Sequence, residues 1–219
     1  MAKAQIPRIG DFKLTARADV PDFRDFSYMP ALVNLKSTLP VPRNLKIRIQ
    51  GSEGACTGFG LAAVIDRLIV ESKRKSNGNS PSVSARMLYE MAQRHDEWQG
   101  EEYEGSSCRG AIKGWYNMGV CEESLYSYDE NGEAFSVDAA KDARNNTIGA
   151  YYRLGTRISD YHAALNEVGA IFCSADVHDG WKSPPRRGGV IEYDGASRGG
   201  HAFAIVGYND MGFWIQNSW

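Results

Sequence analysis

From Cys56 onward the chain takes on a helical rhythm. In "CTGFGLAAVIDRLIVESKRK" the apolar residues Leu61, Ile65, Leu68 and Ile69 recur at spacings that put them on one helix face. Lys73, Arg74 and Lys75 suit the negative end of the helix dipole, and "SNGNSP" reads as the loop that follows. A second helix is predicted from Ser84 in "SARMLYEMAQRH", with Leu88 and Met91 facing inward. A third follows in "SSCRGAIKGWYNMG", capped by Ser106 or Ser107, packed through Ile112 and Trp115, and stopped by a left-handed Gly119. Between these two, "DEWQGEEYEG" lacks the ligand order of a calcium-binding loop and reads as a solvated charge run.

Past about residue 145 the pattern changes. "SDYHAALNEVG" predicts a short helix between a Ser159 cap and a Gly169 stop, and "AIFCSADVH", "GGVIEYDG", "HAFAIVGYN" and "GFWIQNS" alternate or are β-rich. Helices first and strands second argue for an α+β fold, a helical lobe packed against an antiparallel sheet lobe. Ahead of both, residues 1–44 form a polar lead with prolines at 7, 21, 30, 40 and 42.

Composition narrows the function classes. The 219 residues carry a formal charge of -2, which gives no general attraction to nucleic acid or to an anionic membrane. With no apolar run of signal-peptide or membrane-spanning length, the expected location is cytoplasmic. The four cysteines, at 56, 108, 121 and 173, form no close C-x-x-C pair, so neither a metal nor another cofactor is expected. Cys108 and Cys121 flank one predicted helix of about four turns, whose ends lie too far apart for a disulfide. All four thiols are expected to be free.

Cys56 changes the picture, because a thiol at a helix N-terminus faces unpaired N–H groups that favour its nucleophilic thiolate. A nucleophile of this kind needs a histidine base oriented by a third group. His95, His162 and His178 lack a recognisable partner. His201 opens the strand "HAFAIVGY", joined through "NDMG" to a second strand ending in Asn217-Ser218-Trp219. A short hairpin returns Asn217 to His201, where its carbonyl can fix one imidazole nitrogen and leave the other for the thiol, with Trp219 shielding the bond.

These segments resemble the papain-like (C1 family) cysteine peptidases, most closely the bacterial members. "QGSEGACTGFG" is similar to the family's nucleophile segment, "GGHAFAIVGYNDMGFWIQNSW" to its His strand and Asn-Ser-Trp, and "GVCEESLYSY" to its Tyr-x-Tyr region, so the likeness covers about residues 45–219. It implies a two-lobe fold with the site in the cleft, the helical lobe at about 45–144 and the β lobe at about 145–219. It also implies hydrolysis of peptide bonds through a Cys56 thiolate and a His201 imidazolium, with a thioester intermediate. Gln50 would supply an oxyanion-hole donor, and Gly54, Gly105, Ser106, Gly200 and Trp219 would line the substrate site.

Three departures accompany the resemblance. Glu53 and Tyr103 stand where secreted members carry a disulfide pair, Thr57-Gly58 replaces Trp-Ala after the nucleophile, and the chain is short at both ends. From the last, the chain is expected to be truncated at its C-terminus, with further sequence or another chain covering Trp219 and the adjoining sheet edge. The implied partner is a peptide or protein substrate, with no nucleic acid or membrane. Two alternatives are an inactive papain-like binding module and transglutaminase-type amide exchange; the latter normally orients its histidine with aspartate, which makes Asn217 the discriminating residue.

Overall fold

The computed structural model describes residues 6–31, 34–43, 45–72, 82–98, 103–129, 134–182 and 189–219. Its centre is the helix α1, Cys56–Ser72, which packs on one side against α2, Ala85–His95, and on the other against a three-stranded antiparallel sheet. Two glycines within α1 make this close approach feasible. A Cβ at Gly58 would lie 2.6 Å from the Ala85 carbonyl oxygen, and one at Gly60 would lie 3.0 Å from the Phe172 ring. Leu61 and Ile65 are buried in the core, with Leu68 and Ile69 packed against it, as the periodicity requires. The predicted basic end at Lys73–Lys75 lies outside the described residues.

α2 begins at Ser84, whose Oγ accepts the Met87 N–H at 3.0 Å. α3, Cys108–Met118, is capped by Ser107 and ended by Gly119 at φ 75°. Leu88 and Met91 are buried, as is Trp115, with Ile112 packed beside it. A helix that the pattern did not predict, α4, spans Val137–Ala143 behind a Ser136 cap. α5, Ile158–Val168, ends at Gly169 with φ 89°, but it starts two residues earlier than expected, so Ser159 lies inside it and Arg157 precedes it without a side-chain cap.

The strands are numbered in chain order from short pairings in the lead segment. β1, Arg8–Ile9, and β2, Phe12–Lys13, form a hairpin around Gly10; β3, Ala16–Arg17, pairs in parallel with β4, Ser106–Ser107. The main sheet has the order β5-β6-β7, with β5 at Ile171–Val177, β6 at Gly199–Tyr208 and β7 at Phe213–Gln216. Within "GGVIEYDG", residues 189–194 form no strand; Val190 and Tyr193 point to solvent. The acidic loop also departs from expectation: Asp96 is buried, accepting the Trp98 N–H and the Ser106 hydroxyl, each at 3.0 Å. Those bonds repay its removal from water. No helix among the described residues is long and apolar enough to cross a membrane.

Candidate active site

The α1–β6 seam brings the two halves of the candidate site together. Cys56 is the first residue of α1, and His201 is the third of β6, opposite Ala175 of β5. The hairpin from β6 to β7 returns the chain, and the His201 Nε2–H donates to Asn217 Oδ1 at 2.7 Å. Asn217 is itself held, since its Oδ1 also accepts the Ser218 N–H at 2.8 Å. With Nε2 carrying the proton, the neutral imidazole keeps its lone pair on Nδ1, which has no hydrogen-bond partner. The Trp219 indole lies 4.3 Å from the imidazole, ring centroid to centroid, and therefore covers it.

Gln50 is buried on the other side of Cys56. Its Oε1 accepts the Ser218 hydroxyl at 2.7 Å, and its Nε2 donates to the Glu53 carbonyl at 3.0 Å. Among the described residues, its second amide hydrogen has no acceptor. Glu53 and Tyr103 form no bridge; Glu53 pairs with Arg86 at 3.0 Å. All four cysteines are free thiols.

The electrostatics differ from those expected for a cysteine at a helix start. Cys56 is fully buried, and desolvation pushes its thiol up to about 11, despite backbone N–H groups at Ala202, Thr57, Cys56 and Ala16 that act in the opposite sense. Burial likewise lowers His201 to about 4, with the Asn217 bond opposing. Desolvation disfavours whichever form is charged, so it drives a thiol and an imidazole in opposite directions. In this conformation both shifts favour the neutral thiol and neutral imidazole over a thiolate–imidazolium pair.

The cover responsible is the chain's own lead segment, read from the sequence only as a polar stretch. Residues 14–17 cross the cleft between the lobes. Thr15 bridges to Gly200, Ala16 pairs with Ser106, and Ala16 shares an apolar cluster with Cys56, Cys108 and Ala202. The crossing depends on glycines: a Cβ at Gly54 would lie 2.4 Å from Thr15 Oγ1, at Gly105 2.2 Å from the Thr15 carbonyl, and at Gly200 2.0 Å from the Ala16 carbonyl. Trp219 meets the same segment, stacking on Phe12 at 5.1 Å with the rings 10° apart. The five residues expected to line a substrate site, Gly54, Gly105, Ser106, Gly200 and Trp219, therefore all abut this one strap.

Anchors flank the crossing. On the sheet side Ile9 and Leu14 are buried with Val177, beside Trp181 and Trp219. On the helical side buried Arg109 binds Asp25 and the Val20 carbonyl, and its backbone N–H donates to Asp19 at 2.8 Å. Lys13 pairs with Glu104. Sequence pattern offered no signal for these contacts, because two-residue strands and long-range ion pairs leave no periodicity.

The other histidines serve locally. His95 Nδ1 bonds the Met91 carbonyl at 2.8 Å, His162 packs on Tyr208, and His178 Nδ1 accepts the Gly180 N–H at 3.2 Å.

A central helix beginning in cysteine, set against an antiparallel sheet that presents a histidine, is the fold of the papain-like cysteine proteases. Among solved structures, xylellain, a cysteine protease from Xylella fastidiosa, matches with a TM-score of 0.83 and 24% identity, over 100% of this chain and 88% of its own. Digestive procathepsin L 3 of Tenebrio molitor matches at TM-score 0.67 and 18% identity, over 89% of this chain and 64% of its own. Procathepsin B S9 from Trypanosoma congolense matches at TM-score 0.66 and 16% identity, over 94% and 76%. No family model matches the sequence, and no curated protein is significantly similar to it.

Proposed function

We propose that this chain is a cysteine peptidase, described here with its cleft closed by its own lead segment. The observation that most supports the reading is the His201 imidazole, fixed through Nε2 by Asn217 with Nδ1 left free, on the strand packed against the start of α1. Once the strap leaves and water enters, the desolvation that keeps Cys56 and His201 neutral is removed. Nδ1 then takes the Cys56 proton, and the thiolate attacks a peptide carbonyl. Negative charge develops on the carbonyl oxygen, where the Cys56 N–H and the spare Gln50 amide hydrogen are the candidate donors. The imidazolium returns its proton to the leaving amine; a water deprotonated by His201 then cleaves the thioester. Asn217 holds the ring throughout. The partner class follows from this chemistry: a peptide or protein.

The complete burial of Cys56 is the observation that favours the second reading, an inactive binding module. Peptide-library hydrolysis by the purified chain beside Cys56→Ala separates the two. The peptidase reading expects turnover that Cys56→Ala and His201→Ala abolish with folding intact, and a milder loss for Asn217→Ala. Turnover unaffected by Cys56→Ala, or no turnover even after the strap is displaced, contradicts it.

A further inference from the structure

Arg17, the last residue of the crossing, occupies a corner made by two aromatic rings. Its guanidinium carbon is 3.7 Å from the Tyr103 ring centroid and 4.7 Å from that of Trp98. The two rings stand at 85° to one another with centroids 6.1 Å apart, so a planar cation meets both. The corner is built into the cleft wall. Asp96 is buried and fixes the Trp98 N–H, and its other carboxylate oxygen accepts the hydroxyl of Ser106, the residue whose backbone pairs with Ala16. Arg17 itself is held in register opposite Ser107, on the rung next to Ala16. On the same rim Glu104 takes Lys13. The helical wall of the cleft thus receives an extended chain by its backbone and the chain's basic side chains by aromatic and acidic groups.

Resting on the peptidase reading, we propose that the Trp98–Tyr103 corner is a specificity subsite for an arginine of the peptide substrate, filled in this conformation by Arg17 of the chain itself. The inference follows from the chemistry of the occupant. An aromatic face attracts a cation through its quadrupole, and a guanidinium stacks on it better than an ammonium does, while a carboxylate is repelled. A substrate chain lying along β4 in place of the strap offers its own side chain to the vacated corner. The enzyme would therefore favour arginine over lysine, lysine over a neutral residue of similar length, and all of these over glutamate.

The full-length Arg17→Ala chain tests this, because it empties the corner and leaves Cys56, His201, Asn217 and Gln50 in place. Cys56 alkylation is followed by mass mapping with tripeptidyl chloromethyl ketones that carry arginine, lysine, norleucine or glutamate at either of the two residues preceding the reactive one. Iodoacetamide, which has no side chain to recognise, serves as the reference. At one of the two positions arginine should react about tenfold faster than norleucine, with glutamate slowest. In Trp98→Ala/Tyr103→Ala added to that background the preference should vanish while the iodoacetamide rate is kept; Trp98→Phe/Tyr103→Phe should retain it. Alkylation independent of the side chain, or a preference that survives the alanine pair, overturns the subsite and leaves the peptidase reading standing. If no reagent modifies Cys56 even when Arg109→Ala is added to release the strap's anchor at Asp25, both fall together.

Discussion

The α1–β6 seam and the strap's crossing both bury their residues over Cys56, yet they are held by different forces. The seam is formed by side chains: Ala63 and Val64 of α1 share one buried apolar cluster with Ala204 and Val206 of β6. Hydrophobic contact of this kind is removed only by unfolding. The crossing at residues 14–17 adds to the two small apolar clusters of Leu14 and Ala16 a two-residue backbone pairing, a glycine-lined channel, a cation against two rings and ion pairs at its flanks. The part-exposed Lys13–Glu104 pair and the short pairings each contribute little and reform readily in water, while the buried Arg109–Asp25 pair anchors the segment on the helical side. The difference teaches that the strap over Cys56, the proposed nucleophile, can be released more readily than the seam beneath it.

The comparison is broken most severely by damage on the seam side. Leu88→Ala, in the core that α1 shares with α2, should cost about 2–5 kcal/mol in denaturant unfolding, because the cavity cannot be filled without moving the helices. A loss under about 1 kcal/mol would mean that the helical core backing the seam is not close-packed.

Proton linkage sharpens it next. The folded His201 titrates at about 4, below its ordinary 6.5, so the closed state keeps its full stability above pH 6.5 and loses it as pH falls toward 4. The folded Cys56 titrates at about 11, above 9.0, so stability is full below pH 9 and declines as pH rises toward 11. The His201 contribution is on the order of 3 kcal/mol at full protonation. His201→Gln should remove that part of the acid loss in thermal unfolding measured from pH 7 to 4; an unchanged pH slope would show that the ring is accessible to water.

A smaller effect on stability is expected on the strap side. Gly200→Ala places a methyl group against the Ala16 carbonyl and should displace the crossing. Iodoacetamide alkylation of Cys56 should accelerate about tenfold while global unfolding shifts by less than about 1 kcal/mol. Equal changes in both would merge the strap with the seam.

The same division explains what could be read from the sequence. Periodic burial left its mark: the inward faces of α1 and α2, the Ser84 and Ser107 caps, the Gly119 and Gly169 stops, and the hairpin that sets Asn217 against His201 were all legible. The docking of Thr15 and Ala16 was not, because backbone pairing between distant residues is indifferent to side-chain pattern. Without that docking the burial of Cys56 was also out of reach, and the helix-start argument gave the wrong direction for its titration. α4 was missed because seven residues offer fewer than two apolar repeats. The β-rich residues 189–194 failed for the opposite reason: their propensity is real, but they do not join the three-stranded sheet.

Arg109 offers the most direct measurement, because its side chain holds the strap through Asp25 and Val20 and lies in neither lobe's candidate chemistry. In the Arg109→Ala chain, Cys56 alkylation and hydrolysis of a peptide library are followed on one sample. If Cys56 is a nucleophile covered by a releasable strap, both rates rise above those of the unaltered chain, and hydrolysis falls to zero as one thiol per chain, Cys56, is consumed. Hydrolysis that persists after Cys56 is fully alkylated, or a Cys56 that becomes reactive with no hydrolysis at all, would contradict it.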